Sequence, residues 1–326
     1  MAADRKKRQM PLGLLKIREF NKENLKTCGL HLIGHVMEEF KKEQNKLKTY
    51  VNEILHSIFF FGVIHKDCLT PVDFLNEQTE IVQQAFPEPF DKYRSHLPKR
   101  TPFSILLDIM QLTFGTKENI MRELCSLMEK LKFPYPLDRP ANKNQRYYTL
   151  ESTVICVCSN SQCTSQEYFG ASLGCRTENA KSIMIYSSCL NTWHEYVSYA
   201  VMSFQHQTEG ESLQFHKSMQ CQAYIRDWND NVYKERQPCM NCTRLFSLPE
   251  GTEQEHYPYG NCAETECLSK LLLKDQFMQE NTEIRNYTTD KMNMFKDRTK
   301  KLLQGKLASI PSLSNRNNND LLWFNP

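Results

Sequence analysis

Phe133-Pro134-Tyr135-Pro136-Leu137-Asp138-Arg139-Pro140 divides this 326-residue chain. Each proline disfavours helix at the residue before it, and the spacing of apolar residues differs on the two sides of the segment. Before it, Leu30, Ile33, Val36, Met37, Phe40, Leu47, Val51, Ile54, Leu55 and Ile58 recur at three- and four-residue steps. Lys and Glu fill the positions between, as in an amphipathic bundle helix. Pro71 suits a helix start behind Leu69-Thr70, and further helices are predicted over Pro102–Phe114 and 117–131. After the segment, Ser152-Thr-Val-Ile-Cys-Val-Cys158 is β-branched and compact, and Tyr168-Phe-Gly-Ala-Ser-Leu-Gly-Cys175 follows across polar turn residues. These two predict a strand pair. Ile183–Tyr186 reads as a short strand or a helix start. A helix is predicted over Thr192–Phe204, a strand over Gln220–Trp228, a helix from Asn261 through Phe277 and another over 289–303. The expected fold class is α+β. It comprises a helical domain over 1–140, then a smaller α/β domain over 141–304 with a mixed sheet and a Cys-rich zinc site. The tail, 305–326, contains Ser314-Asn-Arg-Asn-Asn-Asn319 and is expected to be disordered.

Hydrophobic residues at 40% and charged residues at 24% suit a protein with a real core. The most apolar stretch, Ile58–Ile64, is too short to span a bilayer and reads as buried core. No apolar run follows the basic residues of Met1–Arg8, so no secretory signal is expected. The expected location is cytoplasmic or nuclear, where thiols stay unpaired. Arg5–Arg8 reads as a solvated, frayed terminus before it reads as an import signal. Residues 1–150 carry 24 Lys and Arg against 18 Asp and Glu, and the remainder 17 against 20. That imbalance is too small to mark a nucleic-acid binder.

Ten of the 13 cysteines lie between Cys125 and Cys262. Isolated cysteines in strands are usually small core hydrophobes, whereas closely spaced ones near turns are metal candidates. In Pro238-Cys239-Met240-Asn241-Cys242, a turn or first helical turn brings both sulfurs to one side, as one tetrahedral zinc requires. In Gly260-Asn261-Cys262-Ala263-Glu264, Asn261 is the expected N-cap, placing Cys262 and Glu264 in a first helical turn that favours thiolate. Cys267, His256 or water is the candidate fourth ligand. A redox role for the Cys-x-x-Cys lacks the preceding βαβ pattern. Glu264 at the third helical position also suits a capping box, which needs no catalysis, and Cys267 sits among apolar residues.

Together these elements resemble the zinc signature of the cytidine deaminase-like superfamily, over about 30 residues directly and about 110 if Ser152–Cys175 is its leading hairpin. The resemblance implies a three-layer α/β/α fold with zinc between two helix N-termini. Cys239, Cys242 and Cys262 would be the ligands, and Glu264 the acid/base that moves protons without binding metal. In the family the Cys-Ala-Glu element comes first; here the order is reversed, and the residues between Cys242 and Cys262 show no strand pattern. His194 of Trp193-His194-Glu195 stands where the usual order puts the first ligand, but its Glu follows directly, so the two side chains diverge on a helix. His194 reads as structural. Three functions compete. One is a zinc-dependent deaminase acting on a nucleobase, nucleoside or nucleic acid, with Tyr257, Tyr259, Trp228 and Phe246 as stacking candidates. Another is a non-catalytic protein with a closed structural zinc, whose helical domain binds a protein partner. The third is a metal-free helical adaptor. No membrane association is expected.

Overall fold

The computed structural model describes residues 12–65, 68–131, 149–162, 166–175, 177–206, 210–227, 229–249, 251, 257–313 and 321–326. Met1–Arg8 and the expected domain boundary at 140 lie outside the described residues. Seven helices come first: α1 (Leu12–Lys42), α2 (Gln44–Ile64), α3 (Pro71–Leu75), α4 (Thr79–Ala85), α5 (Pro87–Lys92), α6 (Pro102–Phe114) and α7 (Lys117–Lys130). The helix predicted across 30–58 is two helices, because Glu43 leaves helical geometry at φ −135°, ψ 55°. Ile58–Phe61 are buried on every side of α2, which explains why that stretch is apolar throughout. Thr70 and Asp73 form a capping box behind Pro71, and the Thr101 hydroxyl accepts from Ser104 N at the start of α6.

The later region contains β1 (Val154–Asn160), β2 (Glu167–Ala171), α8 (Glu178–Asn191), α9 (Glu195–His206), β3 (Leu213–Gln214), β4 (Met219–Asp227) and β5 (Val232–Arg236). It continues with α10 (Met240–Phe246), α11 (Ala263–Lys274), α12 (Gln276–Glu280), β6 (Glu283–Ile284) and α13 (Thr289–Ala308). The fold class is α+β. The main sheet has the order β2-β1-β4-β5, and every pairing in it is antiparallel rather than mixed. Only six residues separate β1 from β2 and four separate β4 from β5, connections too short for a parallel crossover. Helices α8 and α9 then return the chain beside β1 rather than beyond β2. Ile183–Tyr186 lies inside α8. The edge strand β5 was not foreseen: Val-Tyr-Lys-Glu-Arg pairs on one side only and is largely exposed, so its composition is polar. The helix predicted through Phe277 breaks at Asp275, whose carboxylate accepts from Met278 N to start α12.

Helix α11 lies on the face of the sheet that carries Cys156 and Gly170. A Cβ added at Gly170 would press on the Ala263 carbonyl oxygen and stand 2.5 Å from Cys267 N. Gly170→Val is therefore expected to cost about 1–3 kcal/mol by overpacking, read as a lower thermal midpoint; an unchanged midpoint would show that α11 is not seated this closely.

A buried ionic cluster ties the first region to α11. Arg100 donates to Glu53 at 2.5 Å and to Asp108, while Lys270 lies 2.7 Å from Asp108 and 3.0 Å from Glu266. Ser104 Oγ and Ala171 N both donate to Glu266. Burial alone would raise the Asp108 carboxyl; Lys270 and Arg100 overcome that and hold it well below its ordinary value of 3.8. The stabilisation is therefore complete above that pH and is lost as pH falls below it. Asp108→Ala leaves two buried cations short of a partner and should cost about 3–5 kcal/mol. In acid, below pH ~4, the wild-type and Asp108→Asn unfolding curves should converge, and curves that stay parallel would count against this linkage.

Buried apolar residues form one core from Leu25 to Leu313. The tail over 305–326 was expected to be disordered, and its described residues are instead folded onto the core. Residues 305–308 complete α13, and Phe324 is buried, stacked on His56 with ring centroids 4.0 Å apart. Leu97 N donates to Leu322 O, Phe324 N donates to Leu97 O, and Trp323 Nε1 donates to Ser187 Oγ. The polar composition of Ser314–Asp320, which prompted the expectation, lies outside the described residues; Leu-Leu-Trp-Phe beyond it has apolar surface to bury. Among the described residues no helix is long and apolar enough to cross a membrane.

Candidate metal centre

Strand β5 runs directly into Gln237-Pro238-Cys239, and Cys239 is the N-cap of α10 with extended backbone, φ −77° and ψ 163°. Cys242 follows within the first turn and is fully buried. The chain returns through Tyr257–Asn261 to α11, whose N-cap is Cys262, one residue later than expected. Asn261 is engaged otherwise: its N–H donates to Pro258 O, and its carbonyl accepts from Leu173 N, beyond β2. Asn241 Nδ2 donates to Tyr257 O at 2.6 Å, stitching the Cys-x-x-Cys turn to the returning segment. The reversed order of the two motifs is thus no obstacle to their meeting.

The Cys239 sulfur stands 3.6 Å from that of Cys242 and 3.4 Å from that of Cys262, and all three lie within 4.8 Å of one another. Three sulfurs bound to one tetrahedral ion at about 2.3 Å would be roughly 3.8 Å apart. This group could therefore hold a metal ion. Hydrogen bonding with Cys242 and Cys262 pulls the Cys239 thiol down to about 2, while the same contacts with Cys239 push the other two thiols up. A cation bound among these sulfurs would displace the thiol protons.

Of the fourth-ligand candidates, His256 lies outside the described residues. Cys267 points into the sheet, where its thiol donates to Tyr168 O at 3.0 Å and Cys156 O at 3.4 Å. His194 is structural, as expected: its Nδ1 accepts from Tyr196 N at the start of α9, and burial lowers its pKa.

Glu264 sits at the second helical position of α11, not the third, so the capping box does not form. Its carboxylate instead meets its own backbone N–H and the Cys242 thiol. Burial, with negative charge at Cys221 and Cys239 adding to it, raises Glu264 to about 8. It lines a cavity of about 150 Å³ together with Cys239, Cys262, Tyr257, Arg236 and Lys181. Tyr257 is the one stacking candidate there: Tyr259 stacks on Phe204, Phe246 is core beside Phe215, and Trp228 lies outside the described residues. The Lys181 ammonium stands 5.2 Å from the Tyr257 ring centroid. Lys181 and Arg236 were not picked out from sequence. Arg236 was within reach, three residues before Cys239, but nothing along the chain links α8 to this site. A second group, Cys156, Cys158 and Cys221, also brings three sulfurs within 4.8 Å, although cysteines in strands read from sequence as core.

No family model matches this chain, and neither a curated protein nor a solved structure matches it significantly.

Proposed function

We propose that the chain is a zinc-dependent, deaminase-like enzyme of the cytidine deaminase-like superfamily, acting on a nucleobase, nucleoside or nucleic acid. The observation that carries this reading is the Glu264 carboxyl, buried beside three convergent cysteines in a residue that lines a cavity. Zinc fits the centre because three thiolates at tetrahedral spacing select it over harder cations. Bound there, it supplies a Lewis acid that turns water into a nucleophile at neutral pH. With Cys267 committed to the sheet, the described residues offer three ligands, which favours an open catalytic site over a closed structural one.

The residues then divide the work. Cys239, Cys242 and Cys262 hold the ion. Glu264 holds and moves the proton: its carboxylate takes one from the attacking water and returns it to the departing nitrogen, so that an amidine carbon becomes a carbonyl and ammonia leaves. A dication held at the three sulfurs would favour the ionised Glu264 carboxylate, opposing the upward push of burial. Arg236 and Lys181, the latter also paired with exposed Glu178 at 3.0 Å, line the cavity, which suits a phosphate-bearing substrate.

The test is ammonia release from cytidine, adenosine, their monophosphates and single-stranded oligonucleotides by the purified, metal-loaded chain. Release from any of these at a rate above the metal-free protein supports the reading. Full metal content with no release from the whole panel counts against it and leaves the centre structural.

A further inference from the structure

The second thiol group lies where sequence alone predicts core packing. Cys156 and Cys158 are two residues apart on β1 and so share one face of the sheet. Cys221, on β4, is paired directly opposite Cys158. Side chains two apart on a strand stand roughly 6–7 Å from each other at the backbone. Here the sulfurs instead converge, Cys156 lying 3.7 Å from Cys158 and 3.4 Å from Cys221. Apolar filler has no reason to gather its sulfurs at one point, whereas ligands of a tetrahedral ion must do so, at about 3.8 Å spacing. Cys267 of α11 packs beside them, its thiol donating to the backbone carbonyls of Tyr168 and Cys156. Cys156, Cys158 and Cys267 are buried, while Cys221 is partly exposed and gives an ion a way in.

We infer that Cys156, Cys158 and Cys221 form a second metal site, for a thiolate-preferring divalent ion such as zinc. It is distinct from the centre at Cys239, Cys242 and Cys262, and it joins β1 to β4. Helix α11, which carries Glu264 in its first turn, packs on these strands through Cys267. The three thiols give up their protons on binding.

The test is metal analysis of the full chain purified without chelator. Two equivalents of metal per chain are expected for the wild type, one for Cys156→Ser/Cys221→Ser, one for Cys262→Ala and none for the combination. One equivalent in the wild type, lost in Cys262→Ala, would overturn the second site and leave the first standing. Two equivalents retained in Cys156→Ser/Cys221→Ser would overturn it as well. Should that variant fail to fold, the metal-free wild type titrated with Co(II) decides the matter. Thiolate-to-cobalt absorption saturating at two equivalents in the wild type and at one in Cys262→Ala supports the second site; saturation at one in the wild type and none in Cys262→Ala removes it.

Discussion

Replacing Glu264 by Gln should leave the metal content unchanged and reduce ammonia release by about 10²–10⁴-fold, the usual contribution of a positioned general acid–base. The substitution keeps shape and burial while removing the group that can gain and lose a proton. It also removes a buried carboxyl whose ionised form is disfavoured at this depth, burial having raised it to about 8. Stability should therefore hold or rise slightly, a result a helix-capping role would not give, since loss of a cap costs about 1 kcal/mol. Metal analysis, thermal unfolding and ammonia release on one preparation separate the two. Activity within a few-fold of wild type would end the role assigned to Glu264.

Cys262→Ala should remove one metal equivalent and a chelator-sensitive part of the thermal stability. An ion that binds only the folded chain adds about 4 kcal/mol when its free concentration is a thousand times its Kd, and this variant forfeits that term at the first centre. Competition with a chelator should also release metal from the wild type more readily as pH falls, because protons and metal compete for the same sulfurs. Arg244, one turn along α10 from the centre, donates to Tyr259 and serves as a control whose replacement should leave metal content intact. Metal content in Cys262→Ala equal to wild type would place the ion elsewhere.

Much of this was readable along the chain, and the reason differs from element to element. Helix α6 spans Pro102–Phe114 as predicted, because Thr101, Pro102 and Gly115 are local signals that act within one turn. The cysteines at 239, 242 and 262 stood out because their spacing and the helix starts behind them are also local. Strand β5 escaped notice because an exposed edge strand carries no apolar alternation. The C-terminal Leu-Leu-Trp-Phe was overshadowed by the polar run before it, and its place against Leu97 depends on a surface more than 200 residues away.

By itself the sequence determined the starts of α3, α6 and α7 and the pairing of Cys239 with Cys242, since capping, proline restriction and short Cys spacing are set by neighbours in the chain. Only the tertiary structure decided that Lys181 and Arg236 share a cavity with Glu264, that Asp108 meets Lys270 under α11, and that Cys221 joins Cys156 and Cys158. Those meetings come from strand register and helix–sheet packing, which bring together residues separated by tens to more than a hundred positions, and no local pattern encodes such contacts.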